Sequence, residues 1–348
     1  MGGWRSTEGD AVDDKAALDH QGWLDQVDEE VIDPDRPIVD PHHHLWRRGG
    51  RGDYVVADLH RDTGSGHHVE KTVFVECGAG YLRHGPEHLR PVGETAFVAE
   101  LAAESREVGG AEIAGIVAHA DLRLDPDRLD DVLDAHEEAG AGLFRGIRHA
   151  GARAEHPETL TIPGRAPAEL YADPAFRAGV QALGGRGLTY DTWHYHHQNA
   201  DFAALARAVP ETVLVLDHFG TPLGVGPYAG QREAIFESWK RDIADLATIP
   251  NIVAKLGGLA MPDNGFGWDS APSPPTSADF VTAQERYYRH TIECFGPDRC
   301  MFESNFPVDR SSLSYRVLYN GLKKIADPFS EAERHAMFHG TATRVYRL

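Results

Sequence analysis

Eight short runs of β-branched and apolar residues, alternating with longer stretches of helical period, constrain this chain more than any other feature. The runs are Pro37–His44, Lys71–Gly78, Ile113–Leu122, Gly142–His149, Gly187–Tyr195, Thr212–Gly220, Asn251–Gly258 and Cys300–Pro307. Between them lie amphipathic segments such as "GETAFVAELAAESREVG", "DPDRLDDVLDAHEEAG" and "REAIFESWKRDIADLATIP". Several of these segments open with Asp or Asn beside Pro and close at Gly or Pro, the residues that start and stop helices. Strands that alternate with helices pair in parallel through right-handed crossovers, and eight such units close a barrel. The expected fold is α/β, a single (β/α)8 TIM barrel over residues 37–348.

Two intervals break the pattern. "RRGGRGDYVVADLHRDTGSGHH" after the first run reads as loop with a short helix, and "MPDNGFGWDSAPSPPTSADF" after the seventh is rich in Pro, Gly and Ser. Long irregular segments inside a compact domain are usually functional, so both are expected to wall or cover a site. Ahead of the barrel, residues 1–36 carry 11 acidic and 3 basic side chains, which makes them an acidic N-terminal extension. They have neither the cationic start nor the apolar stretch of a secretory signal. No run of about 18 apolar residues occurs anywhere to cross a membrane. The net charge of −20 argues against nucleic acid or an anionic membrane as partner. Three cysteines without metal-type pairing are expected as buried small side chains in a reducing, cytoplasmic setting.

A barrel carries its chemistry at the C-terminal ends of its strands, and here every run ends in polar or ionisable residues. They are His42, His43 and His44; Glu76; His119 and Asp121; Arg145, Arg148 and His149; Asp191, His194, His196 and His197; Asp217 and His218; Lys255; Glu303 and Asn305. Burying so many without purpose would cost several kcal/mol each. Side chains alternate along a strand, so His42 and His44 share one face and His43 takes the other. Two imidazoles on one face suit a divalent zinc, iron or manganese ion. A guanidinium grips a carboxylate bidentately, which makes Arg145 and Arg148 candidate substrate-binding groups, with an ion pair to a neighbouring strand as the alternative. Arg148, nearer the mouth, is favoured. Lys255 is open between substrate contact and an internal salt bridge. Tyr190, Trp193 and Tyr195 are open between packing and recognition, with Trp193 kept as a substrate-binding candidate.

The stretches "VDPHHHLW", "LDHFG" and "MFESNFP" resemble, in order and spacing, the motifs of the amidohydrolase-2 family, metal-dependent hydrolases of TIM-barrel fold. The resemblance runs from Arg36 to Leu348. It implies a D-x-H-x-H on Asp40, His42 and His44, with the two histidines as metal ligands. It further implies a fifth-strand ligand at His196 in "WHYHHQ", and His218 on the sixth strand as ligand or catalytic group. Members commonly carry S-D-x-P on the eighth strand, whose Asp binds the metal and takes a proton from water. This chain has Ser304-Asn305-Phe306-Pro307 there. An amide can lend a metal its carbonyl oxygen but cannot accept a proton. Either the metal is weak or absent, or the reaction differs, or the base lies elsewhere: at His218 first, whose intrinsic pKa lies nearest neutrality, with Glu76, Glu303 and Asp309 as alternatives. An Asp in place of Asn305 is expected to tighten metal binding.

The leading expectation is a metal-dependent hydrolase with one divalent ion, zinc before manganese or iron. It would open a lactone of a carboxylated or hydroxylated small molecule, with His218, Asn305 and Glu76 as catalytic residues. The alternatives are a decarboxylase of an aromatic or muconate-like acid on the same scaffold, and a ligand-binding homologue without catalysis. Metal-free function stays open. The expected partner is a small molecule, neither nucleic acid nor membrane, and a homo-oligomer is compatible with the sequence.

Overall fold

In the computed structural model the described residues are 20–47 and 52–348. Residues 1–19, the larger part of the acidic extension, and 48–51 in the first loop lie outside them. Eight parallel strands pair in chain order: β1 (Pro37–His43), β2 (His68–Val75), β3 (Glu112–Ala118), β4 (Phe144–Arg148), β5 (Thr189–Thr192), β6 (Leu214–Leu216), β7 (Ile252–Leu256) and β8 (Cys300–Phe302). Each is followed by a helix: α1 (Val56–Thr63), α2 (Val92–Val108), α3 (Pro126–Ala139), α4 (Pro174–Gly185), α5 (Asn199–Ala208), α6 (Arg232–Ala247), α7 (Ser277–Phe295) and α8 (Tyr315–Ala326). Two short helices come after, α9 (Glu331–His335) and α10 (Thr341–Tyr346).

The start signals act as the sequence suggests. Asp125 and Asp173 cap α3 and α4 by accepting from the backbone N–H of Arg128 and Ala175, each with a proline at the first helical position. Thr276 and Asp279 form a reciprocal capping box on α7. The barrel closes where Asn305 N donates to His42 O at 3.0 Å and His44 N to Phe306 O at 2.8 Å. Asp40 tightens that seam by accepting from Ser304 N and from the hydroxyl of Tyr315, both at 3.0 Å.

Two apolar layers follow from strand alternation. Ile38, Phe74, Ile113, Ile116, Leu214, Leu256 and Phe302 pack outward against the helices. Val39, Val73, Val75, Val117, Val215, Val253 and Met301 fill the lumen, and Ala342 and Tyr346 of α10 join them there. The sequence reading named no element beyond the eight strand–helix units, yet α10 packs into the barrel interior. The strands also stop earlier than the apolar runs. β6 ends at Leu216 because His218 and Phe219 take φ of 54° and 58°, and β5 ends at Thr192, so His194–His197 lie beyond it. The long segment after β7 is irregular, with single helical turns at Pro262–Asn264 and Trp268–Ser270.

The described part of the extension is held against the barrel. The Trp23 indole N–H donates to Ala271 O at 3.0 Å, and Glu29 accepts from Ser277 N at 2.8 Å and from the Asn320 amide at 3.0 Å. No helix among the described residues is long and apolar enough to cross a membrane.

Candidate active site

Three strand ends converge on one carboxylate. Glu303, just past β8, places Oε1 2.7 Å from His218 Nδ1 and Oε2 2.7 Å from His42 Nδ1. All three side chains are buried, and their ligand-capable atoms lie within 4.8 Å of one another, the one such group of three found among the described residues. The approach of Glu303 Oε2 to His42 lacks hydrogen-bond geometry, and that oxygen is buried without a hydrogen-bond partner. Both oxygens of Asp217 share this condition. A buried acceptor without a partner is costly; the Asp217 oxygens face Lys255 and Arg148 as ion pairs, which leaves Glu303 Oε2, between two imidazoles, as the oxygen that suits a further cation.

The charge balance agrees. Lys255 is fully buried beneath His42, with Nζ 2.8 Å from Asp191 Oδ2, 3.2 Å from Asp217 Oδ1 and 3.4 Å from His42 Nδ1. Arg148 donates through Nε to Glu76 Oε1 at 2.8 Å, bonds the Glu76 carbonyl, and sets Nη1 3.3 Å from His42 Nε2 and 3.6 Å from Asp217 Oδ2. Four carboxylates, Asp191, Asp217, Glu303 and Glu76, thus face two permanent cations. Carboxylates therefore outnumber the permanent cations around His42 and His218. Burial, then the Lys255 ammonium, holds His42 well below the usual imidazole range, and burial, then Arg148, does the same for His44. Both are therefore neutral, the form that binds metals. Burial opposes a charge on His218, but Glu303, Asp217 and Asp309 outweigh it and raise its pKa.

The sequence candidates divide. His42, His44 and His218 gather at the mouth. His44 stands 5.0 Å from His42, ring centre to ring centre, and donates from Nδ1 to Val75 O at 2.8 Å, which leaves Nε2 as its acceptor. His43 turns outward against Phe74. His196 does not join them. The chain turns after β5, so the His196 ring packs edge-on to Tyr228 while its Nδ1 accepts from Leu223 N at 3.3 Å. His194 is also spent, on Tyr171 OH at 3.1 Å and Asn199 Oδ1 at 3.0 Å. Asn305 points its amide at Asp309 Oδ1, 2.8 Å away, not at His42 or His218. Glu76 is a partner of Arg148, and above the pair opens a cleft of about 420 Å³ lined also by His119, His149, Arg123 and Arg165. Arg145 bonds the carbonyls of Gly142 and Phe144 at the start of β4, so it stays at the opposite end of the strand from the mouth. Lys255, with no exposed surface, is an internal ion-pair residue. Trp193 packs edge-to-face on Tyr195 at 5.6 Å.

Several contributors were missed. Glu303 entered the sequence reading only as an alternative base, and Asp191 and Asp217 only as polar strand ends. The glycines after β7 were not singled out at all. A Cβ on Gly257 would sit 2.4 Å from Glu303 Cγ, and one on Gly258 (φ +71°) would sit 2.1 Å from His218 Nδ1. "KLGGLA" therefore leaves room for both groups, and a Gly pair at a barrel strand end was the available signal. His218, Phe219, Thr221 and Asn305 all hold positive φ without being glycine, a strain that collects at functional sites.

A family model described as Amidohydrolase matches residues 39–348. The uncharacterised protein y4mH of Sinorhizobium fredii is 32% identical over 327 residues, spanning 90% of this chain and 99% of that protein. An L-fucono-1,5-lactonase of Burkholderia multivorans is 28% identical over 332 residues, spanning 89% of this chain and 96% of its own. The crystal structure of an amidohydrolase from Burkholderia multivorans with bound zinc aligns with a TM-score of 0.68 at 27% identity, covering 89% of this chain and 99% of that one.

Proposed function

This chain belongs to the amidohydrolase family, and on that premise we propose that it hydrolyses C–O bonds, opening a lactone of a small hydroxylated or carboxylated acid. The observation that carries the reading is Glu303, whose two oxygens each stand 2.7 Å from an imidazole of a different strand. The similarity to lactonases over nearly the whole chain supports the substrate class. His42 and the free Oε2 of Glu303, with the free Nε2 of His44 beside them, would hold one divalent ion, zinc before manganese or iron, because imidazole and carboxylate suit it. When bound, the ion polarises a carbonyl and acidifies a water.

The chain's own residues do the rest. Glu303 fixes His218 through Nδ1, so Nε2 is the atom that exchanges protons at the mouth. There it takes a proton as the water oxygen adds to the lactone carbonyl carbon. It returns the proton to the ring oxygen as the acyl C–O bond breaks. Arg148, clamped by Glu76, adds positive charge beside His42 where the carbonyl oxygen gains electron density. Lys255 balances Asp191 and Asp217 beneath. A zinc assay by mass spectrometry, with an aldonolactone panel followed by a pH indicator, tests the reading. Stoichiometric zinc and turnover, both lost in His42→Ala and Glu303→Gln, are expected. A zinc-free wild type, or full turnover by His42→Ala, would sink it.

A further inference from the structure

The barrel floor carries a chain of contacts that the proposed chemistry does not use directly. Tyr346 of α10 enters the lumen among Val39, Val73, Val215 and Met301, with no exposed surface. Its hydroxyl donates to Asp191 Oδ2, the same oxygen that receives Lys255 Nζ at 2.8 Å. The second oxygen of Asp191 accepts from Thr189 Oγ1 at 2.8 Å. Lys255 Nζ also lies 5.4 Å from the centre of the Tyr346 ring, on its face, while reaching Asp217 at 3.2 Å and His42 Nδ1 at 3.4 Å.

We propose that Tyr346 is a positioning residue of the active site, acting through Asp191 and Lys255 on His42, so that helix α10 is part of the catalytic machinery. An ammonium has three N–H directions. Asp191 takes one in a hydrogen bond, another lies toward His42, and Asp217 attracts the group as an ion pair. Where the ammonium sits between its two carboxylates depends on how strongly each attracts it. The Tyr346 hydroxyl stabilises part of the negative charge on Asp191 Oδ2, which weakens the pull of Asp191 on Lys255. Without that donor the ammonium moves down toward Asp191 and away from Asp217 and His42. His42 then loses its support from below at the edge of the Glu303 cluster. The hydroxyl is buried in an apolar lumen, where nothing but this polar chain gives it a purpose.

The inference rests on the reading of His42 as part of the site, and Tyr346→Phe tests it while keeping ring and volume. The imidazole resonances of His42, assigned by their loss in His42→Gln, are followed in protein labelled on histidine. They should shift in Tyr346→Phe, while those of His136, which bonds Thr95 and the His119 carbonyl away from this chain, stay in place. Zinc affinity by chelator competition should weaken about tenfold, and kcat should fall about tenfold at constant KM, as for loss of one hydrogen bond to a charged group. Lys255→Gln should shift the same His42 signals further. Unmoved His42 resonances with unchanged zinc affinity in Tyr346→Phe would overturn the inference. A wild type that neither binds zinc nor opens lactones would instead overturn the proposed function, and the resonance shift still decides the role of Tyr346.

Discussion

Gly258→Ala is the sharpest test of how the site is built. The position has φ +71°, and a Cβ there would stand 2.1 Å from His218 Nδ1 and 2.5 Å from its Cγ. Backbone on one side and a fully buried ring on the other leave no soft neighbour, so His218 must withdraw from Glu303. A non-glycine residue in left-handed geometry costs roughly 1–2 kcal/mol. Losing the charge-assisted His218–Glu303 bond adds about 1.5–3 kcal/mol. For a chain of 348 residues the unfolding entropy is about 0.7 kcal/mol per degree, so the combined loss lowers Tm by about 3–7 °C. Gly142→Ala is the control, since Gly142 has φ +84° and nothing within 4 Å of an added Cβ. That variant bears the backbone cost alone, about 1–3 °C. Calorimetry and the lactone assay together read the difference: Gly258→Ala should lose about a hundredfold in turnover, the scale of one misplaced proton-transfer group, and Gly142→Ala none. If the two variants matched in both Tm and turnover, His218 would not be held where the structure has it.

Three further outcomes are expected. Asn305→Asp sets a second carboxylate against Asp309, whose own pKa burial has already raised to about 7; zinc affinity should not improve, and stability should fall by about 1–3 kcal/mol. Tighter zinc binding in that variant would show that position 305 faces the ion. Removing zinc with a chelator should lower Tm by about 4 °C relative to protein held at a hundredfold excess over Kd, and an unchanged Tm on zinc addition would contradict a built site. Burial holds His136 neutral with a pKa of about 4 against the ordinary 6.5 of the unfolded chain. The unfolded state therefore takes the proton first, and stability present above pH 6.5 is lost as pH falls toward 4, by about 3 kcal/mol from this residue. Urea midpoints at pH 7 and pH 5 should differ less in His136→Gln than in wild type, and equal differences would refute the assignment.

The barrel was readable because its signal is local and repeated. Each apolar run specifies a strand buried on both faces, and Asp-Pro pairs such as Asp125-Pro126 and Asp173-Pro174 fix where helices begin. Period-two alternation also sorted the three adjacent histidines, with His42 and His44 inward and His43 against Phe74. What alternation could not supply was the point at which each strand stops. The run Gly187–Tyr195 reads as strand through His194, with His196 and His197 just after it, but the strand has already ended at Thr192. The register of the fifth strand therefore says nothing about which of those rings faces the ion. The floor was illegible for a different reason: Tyr346 meets Asp191 across 155 positions, and no periodicity connects them.

The eighth strand shows why a mismatch at one position is weak evidence against a function. The sequence offers Asn305 where the family resemblance implies an acid, and that suggested a displaced base or a weakened metal. An acid is present two positions earlier, as Glu303 just past β8, and it is this residue rather than position 305 that faces the two imidazoles. A glutamate there is one methylene longer than an aspartate, and it reaches both His42 and His218. The move required space, which Gly257 and Gly258 leave open. A neutral side chain at 305 suits this arrangement, because Asp309 lies 2.8 Å from it and a third carboxylate in the same buried corner would be repelled. Since the side chain at 305 is turned to Asp309, an acid there cannot take over the part of Glu303. The double variant Glu303→Gln with Asn305→Asp should therefore bind zinc no more tightly than Glu303→Gln alone, and a gain in affinity would show that the two positions are exchangeable.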